Sequence, residues 1–210
     1  IGVRVPAHCG AQTLLQAFGK PIAAPSANPS GRISPSTAKH VLDGLDGRLD
    51  LVLDGGSCES GLESTIIDCS GKVARLLRPG GITRDALAAA LAVANCNPQI
   101  NIAEPLADHK NPVAPGQLAS HYAPRAAVRL MAKTSTAGEE LIGFGTVSGA
   151  GKLALNLSPS ADLVEAAANL FSMLHAVDAA DIAKVAIAPI PHTGLGEAIN
   201  DRLSRAAAPR

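Results

Sequence analysis

Residues 23–37 read Ala-Ala-Pro-Ser-Ala-Asn-Pro-Ser-Gly-Arg-Ile-Ser-Pro-Ser-Thr. The stretch follows a short apolar run, Pro21 to Ala24, and precedes a helix-like pattern from Thr37 to Leu45. It reads as a strand-to-helix loop rich in hydroxyls, with one amide, one glycine and one arginine. Backbone N–H groups, side-chain donors and a helix N-terminus meet there, which is the chemistry an anion such as a nucleotide phosphate needs. Pro25 and Pro29 stiffen the backbone and lower the entropic cost of holding Ser26, Asn28, Ser30, Arg32 and Ser34 in place. The same residue types also form ordinary turns, and Ser34 or Ser36 would serve equally to cap the next helix.

Four other stretches carry residues fit for chemistry. Arg4, in Val-Arg-Val-Pro, stands at a strand end; its guanidinium is either a two-pronged clamp for a carboxylate or an exposed surface charge. Gly61-Leu62-Glu63-Ser64-Thr65-Ile66 sets two hydroxyls at the start of an apolar strand, where they either orient a ligand or simply open a β-branched run. Leu77-Arg78-Pro79-Gly80 ends a strand on an arginine, a place that α/β folds favour for ligand contact. His121 and Tyr122, beside Pro124, are either a lid or a tether fixed by the chain's single tyrosine ring. No H-E-x-x-H pattern, G-x-x-x-x-G-K-[ST] loop or Ser-His-Asp signature is found. Oxygen donors, amides and arginines suit positioning and charge neutralisation, not covalent catalysis.

These residues need a scaffold. Across residues 1–95, β-like runs at Ile1–Val5, Pro21–Ala24, Asp50–Leu53, Ser64–Cys69 and Lys72–Leu77 alternate with helical patterns at Gln12–Phe18, Thr37–Leu45 and Arg84–Ala94. Thr83 is placed to cap the last of them. Residues 96–125, rich in Asn, Pro, Gln and Asp, read as an interdomain linker ending in a His-Tyr-x-Pro lid. Residues 126–210 start afresh, with strands at Val128–Met131, Leu141–Phe144, Leu153–Leu157 and Val185–Ile190 and helices at Ala161–Ala176 and Gly196–Ala207. The reading is an α/β chain: a larger unit, a linker, and a small three-layer α/β unit.

Composition sets the remaining bounds. Hydrophobic residues make up 47% and aromatics only 2%, so any core is built of Ala, Val, Leu and Ile. Eighteen basic and eighteen acidic residues balance, which argues against a broad nucleic-acid-binding face. No apolar run reaches the roughly 18 residues that span a bilayer. Cys9, Cys58, Cys69 and Cys96 show no C-x-x-C spacing, and no metal-ligating residues are assigned; reduced structural thiols fit a cytoplasmic setting.

Taken in order, Arg4-Val5-Pro6-Ala7-His8, Ala24-Pro25-Ser26-Ala27-Asn28-Pro29-Ser30-Gly31-Arg32, Gly61-Leu62-Glu63-Ser64-Thr65-Ile66, Leu77-Arg78-Pro79-Gly80 and His121-Tyr122-Ala123-Pro124 resemble one family over essentially the whole chain. It is the long, two-domain form of the YrdC-type L-threonylcarbamoyladenylate synthases. The resemblance implies a twisted mixed sheet around a concave cavity, incomplete here at its N-terminal side, followed by a small Rossmann-like domain. It implies a nucleotidyltransferase that forms threonylcarbamoyl-AMP and pyrophosphate from L-threonine, bicarbonate and ATP, with Mg²⁺, upstream of a tRNA-modifying transferase complex. By the same resemblance Arg4, the Ala24 backbone and Ser64 hold threonine. Ser26, Asn28, Ser34, His121 and Tyr122 hold the nucleotide, and Arg78 neutralises phosphate charge as the catalytic cation. The sequence departs from the family in two ways. Gln117 stands where an apolar residue is expected, and a Lys-Arg-containing segment of the family's first half would lie before Ile1. The expectation is a longer natural protein. The alternatives are an RNA-binding module and an inactive fragment without the ATP-gripping segment.

Overall fold

The computed structural model describes residues 1–71, 73–93, 114–116 and 118–209. Lys72, Ala94, Cys96, Gln117 and the linker reading over 96–113 lie outside the described residues.

The elements in chain order are α1 (Cys9–Phe18), α2 (Ala38–Leu45), β1 (Ile66–Asp68), β2 (Arg75–Arg78), α3 (Arg84–Val93), β3 (Ala127–Arg129), β4 (Glu140–Ile142), α4 (Leu163–Ala179), β5 (Lys184–Ile187) and α5 (Leu195–Ala206). β1 and β2 pair antiparallel, while β3, β5 and β4 form a parallel sheet in that order. The fold is thus mixed α/β with both kinds of sheet.

Helix starts follow from local chemistry. The Thr37 hydroxyl accepts from the His40 N–H at 3.2 Å and caps α2. Thr83 does the same for Ala86 at 3.3 Å and opens α3. Asp162 accepts from Val164 and Glu165 and caps α4, with Glu165 in the first turn where the helix dipole favours a negative charge. Gly19, in the left-handed region, stops α1.

The core lies in the C-terminal unit. On α4, Leu170, Phe171, Leu174 and Val177 face Val185 and Ile187 of β5 and Ile199 and Leu203 of α5. All are buried. The apolar positions of α4 recur at three- and four-residue spacing, so one stripe meets the sheet. Ile33 and Tyr122, from the preceding parts of the chain, are buried in the same cluster. That shared core fixes the loop and the His-Tyr segment against the C-terminal unit.

Four expected strands are corrected. Ile1–Val5, Pro21–Ala24 and Asp50–Leu53 hold no ladder, and Leu153–Leu157 contributes only a bridge from Asn156 to Gly143. Alternating apolar residues describe a strand's faces, but a strand also needs a neighbour for its N–H and C=O groups. The first three runs have none among the described residues, and Ile1, Val3, Val5, Leu51 and Leu53 are exposed. The twisted mixed sheet is correspondingly represented here by the β1–β2 pair.

His40 of α2 and His175 of α4 stack at 3.8 Å between ring centroids, with planes 18° apart. His175 Nε2 lies 3.1 Å from the Ser34 carbonyl, and His40 Nδ1 3.2 Å from the Ser36 hydroxyl. Burial holds both imidazoles below their usual range, and at His40 the neighbouring His175 lowers it further. A histidine whose folded pKa is lowered stays neutral in the folded chain while the unfolded chain takes up a proton near pH 6.5. Stability is therefore full above that pH and falls as the pH drops below it. The thermal midpoint should be lower at pH 5.5 than at pH 7.5, and His40→Asn should shrink that difference. An equal difference in the variant would remove the stack as its source.

Candidate functional site

The site grows from the β1–β2 pair. Ile66 lies opposite Arg78 in the register, which brings the start of β1 against the end of β2. The Arg78 guanidinium donates to the Ser64 carbonyl from Nε at 3.1 Å and Nη2 at 2.8 Å, and from Nη1 to the Pro115 carbonyl at 3.3 Å. All these partners are neutral. Burial is the largest influence on Arg78 and works against its charge, with Glu63 and Tyr122 opposing that effect. By contrast Arg84, Arg125, Arg129, Arg202 and Arg205 each face a carboxylate.

Backbone proximity makes the turn after β2 possible. A Cβ on Gly80 would lie 2.3 Å from the Glu63 carbonyl oxygen and 2.4 Å from the Thr65 nitrogen. Gly81 then donates to the Glu63 carbonyl at 3.1 Å.

The hydroxyl-rich loop and the His-Tyr segment meet directly. Ala123 donates to the Gly31 carbonyl at 3.1 Å, and Arg32 bridges Ala123 in parallel. Asn28 Nδ2 donates to the carbonyls of Pro29 and Arg32, bracing the loop from inside. Ala27 and Tyr122 both adopt positive φ, 56° and 62°. For a bulky aromatic residue this is a costly conformation that the surroundings must enforce.

Tyr122 is buried, its ring 5.7 Å from Phe171 and 4.1 Å from His121. Its hydroxyl has no hydrogen-bond partner among the described residues, and the same holds for His121 Nδ1 and Asn28 Oδ1. Buried polar atoms are ordinarily paired. These three lie on the loop and the segment clipped to it, so they offer an amide oxygen, an imidazole nitrogen and a hydroxyl to a polar ligand. Burial pushes the Tyr122 phenol up and the His121 imidazole down, so both are neutral near pH 7.

Gly116 closes this corner. It has φ +84°, and a Cβ there would lie 2.2 Å from the Tyr122 hydroxyl and 3.3 Å from Arg78 Cδ. Gly116→Ala should therefore displace the Tyr122 ring. The chain has one tyrosine and no tryptophan, so its fluorescence reports this residue alone. Acrylamide should quench the variant more strongly than the wild type; identical quenching would show that the corner tolerates the methyl group.

The remaining expected site residues are placed differently. Arg4, Ala24 and Ser26 are exposed, and no hydrogen bond or ion pair joins them to the Arg78 corner among the described residues. Ser64 is exposed and offers Arg78 its carbonyl, not its hydroxyl. Ser34 is turned inward: buried, it donates to Glu63 Oε1 at 2.6 Å. Two residues near the site escaped the sequence reading, Glu63 and Arg202, whose side chains meet at 2.7 Å. Burial works to raise the Glu63 carboxyl, but Arg202 and the Ser34 hydroxyl outweigh it and hold the carboxyl below its usual value. No group of three or more His, Cys, Asp or Glu that could hold a metal ion occurs among the described residues. No helix among them is long and apolar enough to cross a membrane.

Comparison with known proteins places this geometry in a family. Residues 82–208 match the family described as "Threonylcarbamoyl-AMP synthase, C-terminal domain", and residues 1–80 match the one described as "Telomere recombination". The chain is 34% identical to the threonylcarbamoyl-AMP synthase of Bacillus subtilis over 100% of its own length and 64% of the relative's. With the Pyrococcus abyssi synthase the figures are 32%, 99% and 64%. The chain thus spans about two thirds of the length of these relatives, a little under that fraction in each case. Among solved structures, P. abyssi Sua5 complexed with L-threonine superposes with a TM-score of 0.78 at 30% identity, covering 97% of this chain and 63% of that one. A variant of that protein with a neighbouring histidine and tyrosine both changed to alanine superposes at 0.77.

Proposed function

The chain belongs to the threonylcarbamoyl-AMP synthase family, and from that membership we propose that the protein is a nucleotidyltransferase acting on L-threonine, bicarbonate and ATP. The threonine nitrogen takes up the carbon of bicarbonate, water leaving, to give a carbamate. A carbamate oxygen attacks the α-phosphorus and displaces pyrophosphate, leaving threonylcarbamoyl-AMP. Negative charge gathers on the phosphate oxygens as the bond to the leaving group opens, and a cation already fixed beside them stabilises that state without reorganising. The single observation that carries the reading is Arg78: half-buried, held by carbonyls with no carboxylate hydrogen-bonded to it, and beside the buried Tyr122 hydroxyl.

The roles follow. Arg78 faces the phosphates. Asn28, His121 and Tyr122 present their unpaired atoms to the nucleotide, and Ser26 adds a hydroxyl from the exposed part of the loop. Ser34 anchors that loop from within. Arg4, the Ala24 backbone and the Ser64 hydroxyl serve threonine. The relative solved with L-threonine supports that amino acid as substrate. The histidine–tyrosine variant of the same relative parallels the adjacent His121 and Tyr122. Mg²⁺ enters as the companion of ATP, whose phosphate oxygens are the ligands this hard cation prefers. A tRNA-modifying transferase takes the product in the cytoplasm.

The intact protein, given Mg²⁺ and ATP, should release pyrophosphate only when both threonine and bicarbonate are present. Release without threonine, or none with all substrates, would overturn the assignment.

A further inference from the structure

Arg202 is 1% exposed although it is a charged residue on a C-terminal helix. Its guanidinium reaches three chain segments. Nε donates to Glu63 Oε2 at 2.7 Å, Nη2 to the Pro79 carbonyl at 2.9 Å, and Nη1 to Asp201 at 2.5 Å. Its central carbon lies 5.1 Å from the Tyr122 ring centroid, within cation–π range. Glu63 directly precedes Ser64, whose carbonyl orients Arg78, and Pro79 directly follows Arg78. Arg202 therefore holds the residues on either side of the Ser64–Arg78 hydrogen bonds and packs on the ring whose hydroxyl adjoins Arg78. Asp201 extends the network. It pairs with Arg205, and Arg205 donates to the Leu118 carbonyl and accepts from the His121 N–H through its own carbonyl. One turn of α5 thus braces both the β2 turn and the His-Tyr segment.

We propose that Arg202 is a positioning residue for Arg78, so that the C-terminal helix is a working part of the nucleotide site and not only a tether for the linker. The inference rests on the assignment of Arg78 to the nucleotide phosphates. Arg202 touches no substrate; it fixes where the Arg78 guanidinium points. A lysine also carries three donors, but they radiate from a single nitrogen and cannot span three acceptors laid out around the planar guanidinium fork. A displacement of about 1 Å in a charged group at a reacting centre can cost on the order of 10²-fold in rate.

The test is a double-mutant cycle in the intact protein. Arg202→Lys should lower kcat/KM for ATP by about 10²-fold in the wild-type background. In an Arg78→Ala background the same change should have no further effect, because the group being positioned is gone. A purely structural role would give the same fold-loss in both backgrounds, and that result, or a wild-type-background loss below about threefold, would overturn the proposal. If Arg202→Lys lowers the yield of folded protein, Glu63→Gln repeats the cycle, since it loosens the same brace from the other side while keeping an acceptor for Ser34. Equilibrium titration with Mg²⁺-ATP runs the cycle without turnover. Should the wild type bind ATP yet release no pyrophosphate, the reaction assignment fails while the binding cycle still decides the role of Arg202. A wild type that does not bind ATP overturns both.

Discussion

Arg78→Ala is expected to reduce pyrophosphate release by about 10²- to 10³-fold, the usual effect of removing one preorganised group that stabilises developing charge. What surrounds the guanidinium sets the size of the effect. A half-buried cation without a carboxylate hydrogen-bonded to it retains free electrostatic capacity, because no partner neutralises it in place. Burial makes holding that charge unfavourable, and the chain tolerates this beside the β1–β2 pair, where two carbonyls hold three of its N–H groups. An anion at Arg78 relieves the cost, and a triphosphate losing pyrophosphate relieves it most in the transition state. Because Arg78 also organises the Ser64 and Pro115 carbonyls, the variant needs its folding checked by thermal midpoint. Arg78→Lys should retain part of the rate, since a point charge still attracts phosphate. Rates of Arg78→Ala within threefold of the wild type would remove Arg78 from the mechanism.

The sequence disclosed the chemistry of the site more fully than its geometry. The hydroxyl-rich loop, Arg78 and the His-Tyr pair were legible because proline, glycine and hydroxyl residues at short spacing mark fixed loops, and an arginine before Pro-Gly marks a strand end. Ser34 shows the limit. Its residue type says donor, but only the tertiary structure shows that its donor is already committed to Glu63. The N-terminal β-like runs failed for a related reason, since alternation records which face is apolar and says nothing of whether a neighbouring strand is present. In the C-terminal unit α4 was readable from its stripe alone, and its strands carried the near-continuous apolar runs that a covered parallel sheet requires.

Arg202 was missed although a signal for it existed. The buried residues of α5 are Gly196, Ala198, Ile199, Arg202, Leu203 and Ala206, an apolar stripe at helical spacing with one arginine inside it. A charge on the buried stripe of an amphipathic helix demands a partner. The sequence could raise that demand but could not identify Glu63, which lies in a distant strand entry, as the residue that meets it.

That buried pair leads to the largest expected stability effect. Arg202→Ala should destabilise the folded chain by about 3–5 kcal/mol, because it leaves the Glu63 carboxylate largely enclosed without its cation. It also strips the Pro79 carbonyl and the face of Tyr122 of a partner. Glu63→Ala should cost a similar amount by stranding Arg202, which is the more deeply buried of the two. Replacing both, as in Glu63→Ala with Arg202→Ala, leaves no unpaired charge on either side and should cost well under the sum of the two single losses, so the two changes are strongly non-additive. Urea unfolding followed by circular dichroism measures all four species. The pH dependence separates this pair from the histidine stack. The folded Glu63 carboxyl lies below its unfolded value, so its contribution is complete above roughly pH 4.5 and disappears as the pH falls through the folded value. The histidines act in the window below pH 6.5. The loss caused by Arg202→Ala should therefore be largest near pH 7 and shrink as the solution is acidified, starting above the wild-type window, because without its cation burial moves the Glu63 carboxyl up and protonation removes the stranded charge. A double variant no more stable than the sum of the single losses predicts would show that the two side chains contribute independently, and that the brace between α5 and the β2 turn lies elsewhere.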